Sequence, residues 1–268
     1  MRLVGKSLLR WVSGVMCAVA LVGCSEGADD NDPQGGGGLS PTTLRQLGEF
    51  KTYLADDKIS GFSGVCLNEE GTGLYGVDDS GDLYNISFEG KKLSKISLDE
   101  ERDFEGVAVD AVNKVVYMCE EREWNIYKLN ADRKSASQVA HIDVENGVDN
   151  KGLEGITCGN GNIYVANQER PTTIFTYSIA EGKVTNCVTV TFAKFLSDLW
   201  YDNTNDTLWV VDSKQSRLFN IKLDGTLLAT YDVSSVPKAE GVCVDYERGV
   251  IWFACDSTGR LYSAEINF

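Results

Sequence analysis

Glu105, Glu154, Asp198 and Glu240 occupy one position of a recurring segment, and Ser63 fills it in the first copy. If the copies are set around an axis, these side chains converge. Clustered carboxylates in a partly dry site repel one another, so they must protonate, find basic partners or hold a cation. The basic candidates nearby in sequence are Arg122, Lys151, Arg170 and Lys238. An oxygen-only ligand set suits Ca²⁺ first and Mg²⁺ second. The expectation is a Ca²⁺ site drawn from Glu105, Glu154, Asp198 and Glu240. A clamp role competes with it, because carboxylates of a repeat can also bind backbone N–H groups of neighbouring copies.

Other chemistries lack their residues. The single histidine, His141, falls in a late, alternating run, which argues against a Ser-His-Asp triad and against His-rich metal sites. Six cysteines (Cys66, Cys119, Cys158, Cys187, Cys243 and Cys255) lie in apolar strand-like runs with no CxxC pair, so they read as buried free thiols rather than zinc ligands, with oxidation of some as the alternative in an exported protein. The tract Gly35–Gly38 has no flanking strand and helix, so it is no phosphate loop.

The elements that carry the carboxylates follow from the repeat. The segment reads Gly61-Phe62-Ser63-Gly64-Val65-Cys66-Leu67, Asp103-Phe104-Glu105-Gly106-Val107-Ala108-Val109 and Gly152-Leu153-Glu154-Gly155-Ile156-Thr157-Cys158. It continues as Phe195-Leu196-Ser197-Asp198-Leu199-Trp200-Tyr201 and Lys238-Ala239-Glu240-Gly241-Val242-Cys243-Val244. From Gly64 the steps are 42, 49, 44 and 42 residues, with Leu199 in the glycine position of the fourth copy. That period is the length of a propeller blade.

Each copy is followed by a nearly continuous apolar run, such as Leu208-Trp209-Val210-Val211, the pattern of a strand buried on both faces. More alternating third and fourth runs follow. The fifth copy stops after its third run, and Gln46–Leu54, ahead of the first copy, supplies the missing strand and closes the ring. The expected fold is all-β: a five-bladed β-propeller of four-stranded antiparallel blades. A six-bladed ring is the alternative, but it needs a further repeat, and the fixed period disfavours a β-sandwich.

In such a blade the start of the first strand and the end of the second lie at one mouth of the channel. The second runs end in Asp78-Asp79, Glu120-Glu121, Asn167-Gln168-Glu169, Asp212-Ser213 and Asp256-Ser257. Glu121, Arg122, Glu169, Arg170, Asp212 and Asp256 are therefore the expected ligand contacts around that mouth.

The set Asp103-Phe104-Glu105-Gly106, Glu120-Glu121-Arg122, Lys151-Gly152-Leu153-Glu154-Gly155, Leu196-Ser197-Asp198-Leu199 and Lys238-Ala239-Glu240-Gly241 resembles the SdiA-regulated protein family. The resemblance covers most of the chain after residue 38, in order and spacing. It implies a propeller similar to NHL and phytase-like propellers, in a bacterial envelope. It implies no particular reaction.

The N-terminus gives an address. Arg2, Lys6 and Arg10 precede an apolar run from Trp11 to Val22, which ends in Leu21-Val22-Gly23-Cys24. The run has the length of a signal-peptide core rather than a membrane span. Its end resembles a bacterial lipobox, which implies lipidation of Cys24 and removal of residues 1–23. Residues 24–38, acidic and then Gly-rich, form a flexible tether. The propeller occupies 39–268.

The chain carries a net charge of −15, and losing the three basic residues of 1–23 takes it to −18. Such a surface repels nucleic acid. The expected protein is a monomeric lipoprotein anchored by lipid to the outer membrane, facing either the periplasm or the cell surface. It binds a ligand or an envelope partner at an acidic mouth, with Ca²⁺. Ca²⁺-dependent hydrolysis of an ester, lactone or phosphoester is the alternative, and a scaffold the third reading.

Overall fold

A computed structural model describes residues 39–98, 102–145, 147–148 and 151–266, together with the pair 18–19. The lipobox and the tether, and so the expectations placed on them, lie outside the described residues.

Five four-stranded antiparallel sheets form a ring. Blade 1 runs Phe62–Leu67, Leu74–Asp78, Asp82–Ile86 and Lys92–Ser97 from the channel outward. Blade 2 runs Phe104–Asp110, Val115–Glu120, Asn125–Leu129 and Ala136–His141. Blade 3 runs Leu153–Gly159, Asn162–Asn167, Thr173–Ser178 and Lys183–Thr189. Blade 4 runs Asp198–Asp202, Thr207–Asp212, Arg217–Lys222 and Leu227–Asp232. Blade 5 takes three strands from the end of the described chain, Ala239–Asp245, Val250–Cys255 and Arg260–Glu265, and its outermost strand, Phe50–Tyr53, from the beginning.

The closing segment is split. The sequence suggests one strand over Gln46–Leu54, but only Phe50–Tyr53 pairs with blade 5. Leu44–Gln46 instead adds in parallel to the outer strand of blade 4. Gly48 sits between the two pieces, and a Cβ there would lie 2.8 Å from Glu265 Cβ, so glycine allows the close approach. The chain thus staples two neighbouring blades.

Second strands are almost wholly buried, as their continuous apolar runs require. The core is divided among the seams between blades. Val211 and Leu218 of blade 4 pack with Val242 and Phe253 of blade 5, and Phe62 and Val65 of blade 1 pack with Trp252 and Leu261 of blade 5. Ala108 and Ile126 of blade 2 meet Ile156 and Val165 of blade 3 in the same way. Cys66, Cys119, Cys243 and Cys255 are buried free thiols, and Cys158 is a partly exposed one. Cys187 is not free but disulfide-bonded, the alternative left open for these cysteines. His141 is exposed on the outer strand of blade 2, where its ring meets Asn125.

Candidate functional site

The carboxylate position of the repeat is the site of a β-bulge. Register slips between Phe62 and Gly64, Phe104 and Gly106, Leu153 and Gly155, and Ala239 and Gly241. The residue inside each bulge is Ser63, Glu105, Glu154 or Glu240. A bulge re-aims its extra side chain, here to the mouth of the channel. Blade 4 has no bulge, and Asp198 pairs directly with Val211.

The glycine after the bulge explains the close packing of the inner strands. A Cβ on Gly64 would lie 2.8 Å from Gly106 Cα, and one on Gly155 would lie 2.5 Å from Asp198 Cα. One on Gly241 would lie 2.9 Å from Ser63 O, across the closing seam. In blades 1, 2, 3 and 5 the inner strand thus rests on the next through a side chain reduced to hydrogen, whereas blade 4 has Leu199 at that place.

The acidic residues then divide by partner. Asp198 is fully buried. One of its oxygens accepts the N–H of Leu199 and the other the N–H of Val242 in blade 5, both at 2.8 Å. Burial raises its pKa, and these backbone donors work against that rise. Glu240 is buried beside Lys238, whose Nζ is 2.7 Å from Glu240 Oε1 and 2.6 Å from Asp256 Oδ2. Burial pushes the Glu240 carboxyl up to about 7, with Lys238 pulling the other way.

Glu154, also buried, accepts a hydrogen bond from Gln168 Nε2. Burial raises its pKa, and the charges of Glu105, Glu121 and Glu240 raise it further. Burial and the charges of Asp79 and Asp103 do the same to Glu105. Asp103, Glu105 and Glu121 each offer an oxygen within 4.8 Å of the others. Asp103 also receives Arg122 Nε at 2.7 Å from an exposed side chain. Gln168 Oε1 is buried at this mouth with no hydrogen-bond partner.

The remaining expected contacts are varied. Arg122 and Arg170 are exposed, and Glu169 pairs with Lys214 at 3.1 Å. Lys214 and Lys151 lie over the Phe195 ring. Asp212 is buried inside blade 4, accepting the N–H groups of Lys194, Phe195 and Gln215. Asp78 and Glu120 likewise hold the turns that follow them. Of each acidic pair ending a second strand, the first residue closes a turn in blades 1 and 2. Asp103 was not among the residues expected at the site, although it opens the repeat segment of blade 2.

The SdiA-regulated profile matches residues 47–254, from the closing strand to the second strand of blade 5. The chain belongs to the SdiA-regulated family. No protein of curated function matches it. Several solved structures share the fold of this SdiA-regulated propeller. Glutaminyl cyclase of Myxococcus xanthus superposes with a TM-score of 0.63 at 15% identity, over 82% of this chain and 94% of that one. A luciferin-regenerating enzyme gives 0.56 at 13% identity, over 81% and 95%. A chain of the nidogen/laminin complex gives 0.54 at 16% identity, over 72% of each. At these identities the likeness is one of fold.

Proposed function

We propose that this SdiA-regulated propeller is held in the cell envelope by a lipid on Cys24 and binds a ligand or envelope partner at its acidic mouth through Ca²⁺. The convergence of Asp103, Glu105 and Glu121 within 4.8 Å carries the reading. Three hard oxygen donors, ringed by Glu154 and Glu240, suit a Ca²⁺ ion. The orphaned Gln168 Oε1, buried beside Glu154, is a neutral acceptor of the kind that a cation or its bound water satisfies. Asp198 and Glu240 belong to the same ring, but each already holds partners, the former two N–H groups and the latter Lys238. Arg122, Arg170, Glu169 and Asp256 surround the opening as contacts for the ligand.

Calorimetric titration of EDTA-treated protein with Ca²⁺ tests this. The expected result is saturable heat that depends on the buffer, because carboxyls with raised pKa values release protons when a cation binds. Asp103→Asn and Glu121→Gln each weaken binding. No heat and no change in melting temperature would remove the metal from the account.

Metal-assisted hydrolysis is the second reading, favoured by Glu240. A carboxyl raised to about 7 suits a general base at neutral pH. Glutaminyl cyclase and the luciferin-regenerating enzyme, which share the fold, are enzymes by name. A screen of esters, lactones and phosphoesters with Ca²⁺ tests it: turnover that Glu240→Gln abolishes supports the reading, and no turnover on any class sets it aside.

A further inference from the structure

The channel has a second opening. At the end opposite the acidic mouth, where inner strands turn into second strands, lies a cavity of about 690 Å³. That volume falls among pockets that take drug-sized ligands. Its wall includes Val107, Val109, Ile156 and Leu199, with Trp200 partly exposed from the inner strand of blade 4. Cys158, the one partly exposed thiol among the described free cysteines, also lines it.

Two of the three acidic side chains around this cavity are paired with bases, and the third, Asp110, is held by neutral donors. The lining holds three acidic residues and no lysine, arginine or histidine. Glu69 accepts the Tyr75 hydroxyl at 2.5 Å and Arg133 Nη1 at 3.1 Å. Glu70 is paired with Lys114. Asp110 is bound by the N–H groups of Val112 and Asn113 at 3.1 and 3.0 Å, and by Asn113 Nδ2 at 2.8 Å. The other polar lining groups are mostly neutral amides, among them Asn68, Asn160, Asn162 and Asn203. An anionic ligand entering here would lose hydration and meet no base, and a cationic one would find only Asp110 without a base, whereas apolar surface gains by burial.

We infer that this cavity is a second binding site, independent of the acidic mouth, for an uncharged and largely apolar molecule with a flat ring system that packs on Trp200. A protein carrying both sites reads a cation-dependent ligand at one end and a neutral apolar one at the other.

The test follows the alkylation of Cys158 by N-ethylmaleimide in the full chain, peptide by peptide, by mass spectrometry. Burial raises the Cys158 pKa, so the reaction is slow and its rate is easily followed. The probes are naphthalenemethanol, which is neutral, and naphthoate, the same ring carrying a charge. Naphthalenemethanol at ten times its dissociation constant is expected to slow alkylation about tenfold, with naphthoate having little effect. Val109→Trp, which fills the cavity from a partly exposed position, is expected to abolish the protection. Equal slowing by the two probes, or no slowing by either in the unaltered protein, overturns the inference, as does protection that persists in a folded Val109→Trp variant. None of these outcomes depends on Ca²⁺, so they are distinct from a failure at the acidic mouth.

Discussion

Glu240 is the residue whose environment makes the sharpest statement about pH. Its carboxyl stands at about 7 when folded against 4.5 when free, because burial penalises the charged form more than Lys238 rewards it. The folded protein therefore holds this proton more tightly than the unfolded chain does. The stabilisation is complete below pH 4.5 and is lost as the pH rises to about 7. Relative to Glu240→Gln, the unaltered protein is expected to lose on the order of 3 kcal/mol across that window. Urea unfolding at a series of pH values measures it, and parallel curves for the two proteins would contradict it. Glu105 and Glu154, raised by burial and by neighbouring carboxylates, add to the same trend. At this scale the sequence was partly legible. The repeat put Glu105, Glu154, Asp198 and Glu240 at one mouth. It did not show that Asp198 points at the Val242 N–H or that Asp103 joins Glu105, because those facts depend on side-chain aim within a bulge or beside it.

The inner strand is the element that makes the site. Its bulge turns one acidic side chain toward the mouth, and the following glycine lets the next blade approach. Gly155→Ala places a methyl group 2.5 Å from Asp198 Cα, where backbone must move. We expect a loss of about 3 kcal/mol or more. Gly161→Ala is the control: its φ of +74° is strained for alanine, but the space around it is open, so about 1 kcal/mol is expected. Thermal unfolding of the two variants distinguishes them, and equal losses would mean that the seam between blades 3 and 4 is not the tight contact described. The glycine was visible in the sequence as part of the repeat. Leu199 in its fourth place signalled the regular, unbulged strand of blade 4 without naming the reason.

On the scale of the whole molecule, the five-fold period and the incomplete fifth copy made the ring and its closure readable before any coordinates. The split of the closing segment was not readable, since Leu44–Gln46 is too short to show a period and its partner is chosen by the position of blade 4. The cavity at the far mouth was only half legible: part of its wall, Val65, Val107, Ile156 and Val242, is the apolar position after the glycine of the repeat, but its rim is made by loops that share no motif. The address rests on Cys24. Cys24→Ser is expected to move the protein from the membrane fraction to the soluble fraction of lysed cells, and unchanged membrane association would contradict a lipid anchor at that residue.

The central claim is that the acidic mouth is a cation site, and a crystal of this protein grown with Mn²⁺ as a Ca²⁺ surrogate tests it most directly. The account predicts a single strong anomalous peak bonded to carboxylate oxygens of Asp103, Glu105 and Glu121. A mouth with no peak, and with those carboxyls protonated and bonded to one another, would contradict it and leave the ring of carboxylates as a clamp between blades.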